Sequence, residues 1–433
     1  MADTLAYERC DVAIIGAGPA GLAAATALKK AGIERVVILE RESEAGGIPR
    51  HCGHPPFGMR EFGRVMAGPP YARRLVETAR NAGVDIALKT TVTTLGPEGA
   101  LTIVSPEGPR ELTAKRVLLA TGIREMPRSA RLVSGDRTLG VCNTGALQSM
   151  VYLKNRVPFR SPVVVGTELV SFSALLTCRR AGIRPVAMLE EEPRATVRWP
   201  LHYSARLLGV PLLFRTRIIG IIGRSRVEAV RIADEGGSES EIACDGVLFT
   251  GRFPPESSLA RLSHLAIDQG TGGPVIDQFG RCSDPAYYAA GNVLRPVETA
   301  GWSWREGRAT AQWIARDLAG DLPSPETAMR VETHSPVKFA IPQRIAPPIQ
   351  GAGMSHLQIR VDRPARGRLT VANGAGPIWS RTMSALPERR ILIPIASLRR
   401  ESATDGLVVE FIEERSAHDE RQIPSSIKQE RNK

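Results

Sequence analysis

Two hydrophobic rhythms divide the chain. Up to about Pro323, short unbroken apolar runs alternate with segments of helical period. Val12 to Ile15 predicts a strand, followed by a helix to about Lys30 and a second strand, Val36 to Leu39. Paired strands are expected from Val84 to Val104, and single apolar strands at 117–122 and 286–292. Residues 126–160 read as a linker into a second strand–helix–strand unit: Val163 to Val165, roughly Leu169 to Ala181, then Pro185 to Leu189. Short strands fill 210–250 with a return to the first domain, and a helix runs from Gly301 to about Leu318. Beyond Pro323, Pro336, Pro342, Pro347 and Pro348 mark a connector. Alternating stretches at 357–361, 368–371, 377–381, 390–395 and 407–412 then predict a small β-sandwich or barrel. Residues 415–433 are charged and polar and are expected to fray.

The first strand runs into Gly16, Gly18 and Gly21, with Pro19 and Ala20 between them. Gly16 permits the tight turn, Gly18 lets the backbone approach a pyrophosphate, and Gly21 lets helix and strand pack closely. Free N–H groups at the helix start face the phosphates. The second strand ends at Glu40, where a carboxylate can accept from a ribose 2′-OH. Strand, glycines, helix, second strand and terminal acid together form a dinucleotide-binding fingerprint in its required context.

Three further motifs follow in order: Gly46-Gly47 after the acid, VLLATG at 117–122 and AYYAAGN at 286–292. As a set they resemble the two-dinucleotide-binding flavoproteins, the pyridine nucleotide-disulfide oxidoreductase class, over about residues 8–325. The resemblance implies an α/β fold with two Rossmann-like dinucleotide-binding domains, here with a small C-terminal β-rich domain appended. It divides the chain into FAD-binding segments at 8–125 and 251–325, a second nucleotide domain at 126–250 and the β-rich domain at 326–414. The implied cofactor is FAD. Its implied contacts are Gly16, Gly18, Pro19, Ala20, Gly21, Glu40, Arg41, Gly47, Val92, Thr121, Gly122, Gly291, Asn292, Ala300 and Gly301. Val92 would touch adenine through its backbone. Asn292 stands where the family usually carries an Asp that binds the ribityl chain. The helix starting near Gly301 would place its N-terminus at the flavin, favouring negative charge on the reduced ring.

Segments 46–58, 68–75 and 291–308 resemble, more narrowly, the FAD-containing A or alpha subunits of heteromeric dehydrogenases. Examples are the A chain of opine oxidase, the alpha chains of proline and hydroxyproline dehydrogenases and the B chain of hydrogen cyanide synthase. They also resemble a flavoprotein encoded beside some glycerol-3-phosphate dehydrogenases. This implies that a second flavoprotein subunit is the partner and that a small amino or hydroxy acid is the substrate. The alternatives are a self-sufficient NADH-dependent flavin oxidoreductase and a non-catalytic FAD-binding scaffold.

Two departures bear on the chemistry. In family members with a redox disulfide after the Gly-Gly pair, the cysteines would fall at Pro49 and His54, and Cys52 is off that register. The other placement, a CxxC in the second unit, fails because Asn143, Thr144 and Gly145 follow Cys142. The second unit's turn reads Gly166-Thr167-Glu168-Leu169-Val170-Ser171, so only its first glycine survives. Glu168 puts a carboxylate where phosphate would bind, or caps the helix internally. Glu190, Glu191 and Glu192 disfavour a 2′-phosphate. NADPH is therefore not expected and NAD(H) is doubtful, with a divergent nucleotide such as ATP left open.

The remaining features narrow the picture modestly. His51, Cys52 and His54 are spaced too tightly for a zinc site, no metal is expected, and they are read as lining the flavin pocket or an inter-subunit channel. Trp302 and Trp304 either stack near the flavin or pack in the core. No general base is visible, so the catalytic residues stay unassigned. A net charge of +12 fits a solvated basic surface or attraction to anionic cofactors, acidic substrates or an acidic partner. Dispersed charge and 5% aromatic residues argue against nucleic acid. The cysteine pattern and the lack of a membrane-spanning run give a cytoplasmic protein as the expectation.

Overall fold

The computed structural model describes residues 8–295, 297–346, 353–398 and 406–413. They divide into two compact units: residues up to 274 with 281–322, and 275–280 with the chain from 323 onward.

Two sheets of the first unit carry the nucleotide-type architecture. In the larger, Arg9–Ile15 lies at the centre, parallel to Val36–Leu39 on one side and Gly108–Leu119 on the other. Asp85–Ala87 extends it beyond Val36–Leu39, and Tyr287–Ala289 pairs parallel with the end of Gly108–Leu119. Val36–Leu39 is buried throughout, as an unbroken apolar run between helical layers must be. The expected paired strands are Thr91–Leu95 and Ala100–Ser105, antiparallel to each other and to the start of Gly108–Leu119. Helix Pro19–Lys30 follows the glycine turn and packs against helix Ala300–Leu318. A helix at Gly68–Asn81, marked in the sequence only as a resemblance, seals the same core through Tyr71, Leu75 and Ala79.

The second parallel sheet runs Leu212–Leu213, Ala187–Leu189, Pro162–Val165, Gly246–Phe249, Val141–Asn143. The expected linker 126–160 is therefore partly structural. Val141–Asn143 is a strand of this sheet and Thr144–Tyr152 a helix whose N-cap, Asn143, accepts from Ala146 N at 2.9 Å. The expected return to the first domain within 210–250 is also revised: Gly246–Phe249 joins the second sheet, because its four buried residues pair with Pro162–Val165.

The second unit is a β-sandwich. A five-stranded sheet and the three-stranded sheet Val337–Ile341, His356–Val361, Ile391–Pro394 share one core, with Leu369, Val371 and Val409 facing Leu357, Ile359 and Ile393. The expected connector after Pro323 is largely sandwich as well, with strands at Met329–Thr333, Val337–Ile341 and Arg344–Ile345. Apolar residues alternate there, and the prolines sit at strand ends where no ladder hydrogen bond is lost. Residues 275–280, which the sequence places in the second FAD segment, belong to this unit. Ile276 N donates to Gln343 Oε1 at 3.1 Å, and Ala346 N donates to Gln278 Oε1 at 2.8 Å. The expected frayed tail at 415–433 lies outside the described residues, as do Pro347 and Pro348.

Candidate functional site

The glycine turn is dictated by contact. Gly16 has φ +107°, and a Cβ there would lie 2.7 Å from Ala120 O. A Cβ at Gly21 would collide with Gly16 O. A Cβ at Gly18, by contrast, would meet no atom within 4 Å, so the space before the helix is open. Gly47, at φ +62°, would bring its Cβ to 2.8 Å from Gly18 Cα, so the loop after the second strand lies on the first. Helix Pro19–Lys30 starts with Pro at its first position and no side-chain cap. Its leading amides are the anion-binding arrangement expected of such a helix.

Glu40 is buried. Its Oε2 accepts from Ala17 N at 2.8 Å and its Oε1 from Glu42 N at 2.9 Å. Each oxygen keeps a further lone pair for a sugar hydroxyl. Arg41 beside it is exposed. Gly122, at φ +78°, also faces open space, while the Thr121 hydroxyl donates to Glu256 O at 2.6 Å and braces the loop.

The third FAD motif is tied to the last helix. Gly291 N donates to Glu306 Oε2 at 2.8 Å, and buried Arg295 donates to Glu306 Oε1 at 2.9 Å. Asn292 Nδ2 donates to Glu298 O at 3.0 Å, and Glu298 N returns a bond to Asn292 Oδ1 at 2.8 Å. A Cβ at Gly291 would lie 2.9 Å from Ala20 Cβ, which joins this motif to the glycine turn. Ala300 and Gly301 open a helix whose N-cap, Thr299, contributes no side-chain bond. Trp302 lies under the guanidinium groups of Arg60 and Arg305, at 4.5 and 5.4 Å, and Trp304 packs against the first core.

Gly16, Gly18, Ala20, Gly21, Gly47 and Gly291 thus interlock around one crevice at the C-terminal ends of the parallel strands, the expected binding position in such sheets. The Val92 side chain is buried on Thr91–Leu95 and registered with Ile103, and two residues before it Thr90 N donates to Glu40 O at 2.9 Å. The open cradle at Gly18 and Gly122, the uncapped helix start and the buried acid fit an extended dinucleotide such as FAD.

The second parallel sheet, also in the first unit, repeats the turn with altered chemistry. Gly166 has φ +110°, and a Cβ there would sit 2.6 Å from Thr250 Oγ1. Ser171 replaces the packing glycine, its hydroxyl 2.6 Å from the same Thr250 oxygen. Glu190 mirrors Glu40: Oε1 accepts from Glu192 N at 3.0 Å and Oε2 from the Thr167 hydroxyl. Glu168 does not cap its helix, contrary to that expectation. Its Oε1 instead accepts from Arg252 N at 3.4 Å, and its carboxylate lies where any Cβ at Gly251 would be. Burial pushes the Glu168 carboxyl above the ordinary range, against the pull of Arg131 and Arg252.

All six cysteines are free. Cys52 is buried, its Sγ 3.5 Å from Gln148 Oε1, and burial pushes the thiol up to about 12, which removes it as a nucleophile at neutral pH. Cys142 is pushed up to about 12 by the same cause. Among the described residues no three His, Cys, Asp or Glu side chains gather as a metal would require. What the sequence does not single out is Glu125. Its Oε2 accepts from Gly145 N at 2.6 Å, and His51 approaches Gly145 from the same side. An acid in a loop carries no periodic signal, and only the fold brings it to the helix start.

A parallel sheet with a glycine cradle, repeated in degenerate form, defines a two-dinucleotide-binding flavoprotein. Residues 10–310 match the family model described as pyridine nucleotide-disulphide oxidoreductase, and the chain belongs to that family of FAD-dependent oxidoreductases. It is 27% identical over 366 residues to the alpha chain of sarcosine oxidase from Rhizobium meliloti (strain 1021), covering 79% of this chain and 34% of that protein. It is 26% identical over 264 residues to the A chain of opine oxidase from the same organism, covering 60% and 56%. A putative glutamate synthase [NADPH] small chain of Cereibacter sphaeroides is 29% identical over 353 residues, covering 72% and 78%. The chain therefore spans about a third of the first relative and just over half of the second. Among solved structures, the fold matches T. acidophilum thioredoxin reductase (TM-score 0.62, 23% identity, 72% of this chain, 100% of that one). It also matches L-proline dehydrogenase from P. horikoshii (TM-score 0.55, 21% identity, 73% and 57%). Among the described residues no helix is long and apolar enough to cross a membrane.

Proposed function

We propose that this chain binds FAD in the first crevice and relays electrons within a heteromeric dehydrogenase or oxidase for a small amino or hydroxy acid. Gly18 and Gly122 leave room for the cofactor, Glu40 receives a ribose hydroxyl, and the Ala20 and Gly21 amides at the helix start receive the pyrophosphate. FAD supplies a two-electron acceptor there. The start of helix Ala300–Leu318 favours the negative charge that arrives with the electrons.

The observation that carries the relay is Glu168. Its carboxylate, folded over Gly251 and Arg252, stands against a pyrophosphate at the turn of the second parallel sheet, so electrons reach the flavin by another route. Two of the relatives are named as subunits, the alpha chain of one oxidase and the A chain of another, which favours a partner as that route. Stopped-flow mixing of the flavin-loaded chain with NADH is expected to give reduction well below typical turnover, roughly ten per second. Reduction at that rate or faster overturns the relay. Co-expression with an adjacent flavoprotein gene is expected to yield a stable complex that oxidises an amino or hydroxy acid this chain alone leaves untouched.

One observation favours a second reading, an NADH-dependent flavin oxidoreductase. Glu190 keeps the geometry of Glu40, suited to a ribose 2′-OH and hostile to a 2′-phosphate. The stopped-flow experiment separates the two.

A further inference from the structure

The first turns of helix Ala300–Leu318 carry a surface cluster with no part in holding a dinucleotide. Three exposed arginines gather on two half-buried tryptophans. The Arg60 guanidinium lies 4.5 Å from the Trp302 ring centroid and the Arg305 guanidinium 5.4 Å from it, while Arg308 lies 5.6 Å from the Trp304 ring. Arg60 comes from a short helix, Met59–Phe62, within a loop closed at its base. There Phe57 N donates to Met66 O at 2.9 Å and Met66 N to Phe57 O at 2.8 Å. The loop rests on the start of the long helix: a Cβ at Gly301 would lie 2.9 Å from Arg60 Cδ and 3.2 Å from Glu61 Oε1. Apolar side chains flank the cluster in sequence, Met59 being 56% exposed and Val297 42%.

The acids of these two helices are all spent elsewhere. Glu61 Oε1 accepts from the Tyr71 hydroxyl at 2.6 Å, and Asp317 Oδ2 from the Tyr288 hydroxyl at 2.7 Å. Glu306, between Arg305 and Arg308 in sequence, accepts from Gly291 N at 2.8 Å and from Arg295 at 2.9 Å. Among the described residues no carboxylate pairs with Arg60, Arg305 or Arg308. Two guanidinium groups brought to one indole repel each other, and nothing of the opposite sign in the chain relieves them. Stacking occupies the face of a guanidinium and leaves its N–H edge to donate, the edge that grips a carboxylate with two parallel bonds. Arginine and tryptophan are also the residues that carry most of the energy at protein interfaces. A second copy of this chain on the same face would set arginine against arginine across a two-fold axis. Nucleic acid would need bare rings on which to stack its bases, and these rings already carry arginine.

We propose that Arg60, Arg305 and Arg308, stacked on Trp302 and Trp304, form the docking surface for the electron-donating partner protein, which meets them with carboxylates. This rests on the relay reading and specifies where its partner sits. Electrons pass between proteins only over short distances, so a donor has to dock at the flavin end of this chain. The cluster lies at the start of the helix that the relay reading places at the flavin. The arginines supply orientation and encounter rate, and the carboxylates they lack in the free chain come from the partner.

The test uses the flavin-loaded full chain, with the flavoprotein encoded by the adjacent gene as probe. The double variant Arg305→Glu, Arg308→Glu is expected to keep its flavin and bind the probe roughly 100-fold more weakly. The control Arg179→Glu, Arg184→Glu makes the same change in net charge on another exposed surface and is expected to cost less than about threefold. A second measurement needs no loss of function. In the variant Arg305→Lys, Arg308→Lys, carbodiimide is expected to join position 305 or 308 to an Asp or Glu of the probe, mapped by mass spectrometry. Wild-type affinity in the flavin-loaded double Glu variant overturns the surface, as does an equal loss in the control or cross-links confined to other lysines. Two further results overturn the protein occupant: self-association of the wild-type chain that the double Glu variant abolishes, and a single-stranded oligonucleotide bound at the same face as tightly as the probe. A wild-type chain that forms no complex overturns the relay and the surface together, whereas a complex that survives in the double Glu variant overturns the surface alone.

Discussion

Gly18 and Glu168 stand at the same point of two homologous turns, and one substitution separates an open cradle from a filled one. Because a Cβ at Gly18 meets no protein atom, Gly18→Leu is expected to fold and express while its visible flavin absorbance falls by an order of magnitude or more. A fully flavin-loaded variant would move the cofactor elsewhere. His51 gives a pH signature. Its folded-state pKa lies below the ordinary value of 6.5, so below that pH the unfolded chain binds more protons and stability falls as the solution is acidified. His51→Asn is expected to flatten that acid limb in chemical denaturation at pH 5 to 7, with little change above it. The glycines and Glu40 were legible because each answers a local requirement of the turn. The placement of Glu125 was not, because its neighbours come from residues 51 and 145, and no local pattern encodes that meeting. Asn292 lies between these cases. Its position was evident, but only the structure shows its amide closed on the Glu298 backbone.

Among elements, the pairing of helices Pro19–Lys30 and Ala300–Leu318 matters most to the site. It depends on Gly307, where any Cβ would strike Ala20 O at the first turn of the dinucleotide helix. Gly307→Val is expected to destabilise by about 1–3 kcal/mol through overpacking, read as a lower unfolding midpoint. Because Ala20 borders the cradle, flavin should be lost before the fold is. The long-range strands were readable from unbroken apolar runs, which have few alternatives when both faces are buried. Strands at 329–345 were not, because four-to-five-residue alternation among prolines looks like a connector until a sheet supplies its partners. Helix Gly68–Asn81 escaped for another reason. It opens on Gly-Pro-Pro, and its apolar face is carried by Tyr71, Ala72, Leu75, Val76 and Ala79 within a run rich in arginine and glutamate.

For the whole molecule, a net charge of +12 makes association with an acidic partner sensitive to salt. Complex formation with the proposed flavoprotein partner should weaken several-fold between low and physiological ionic strength, measured as an association rate. The sandwich unit was foreseen in kind, though not in its use of residues 275–280. Those six residues have a consequence for how the chain can be cut. The polypeptide passes between its two units at 274–275, at 280–281 and at 322–323, so no single break separates them. A chain ending at Leu322 would keep Ile276, Gln278 and Phe279, all nearly fully buried, but lose Gln343, Ala346 and Met354, to which this segment is hydrogen-bonded. Limited proteolysis of such a chain should cut first near Arg281, a residue hidden in the full-length protein. The sandwich is thus no detachable appendix: it is sewn through the flavoprotein fold, and any recombination that trades it for another module must trade the stitch as well.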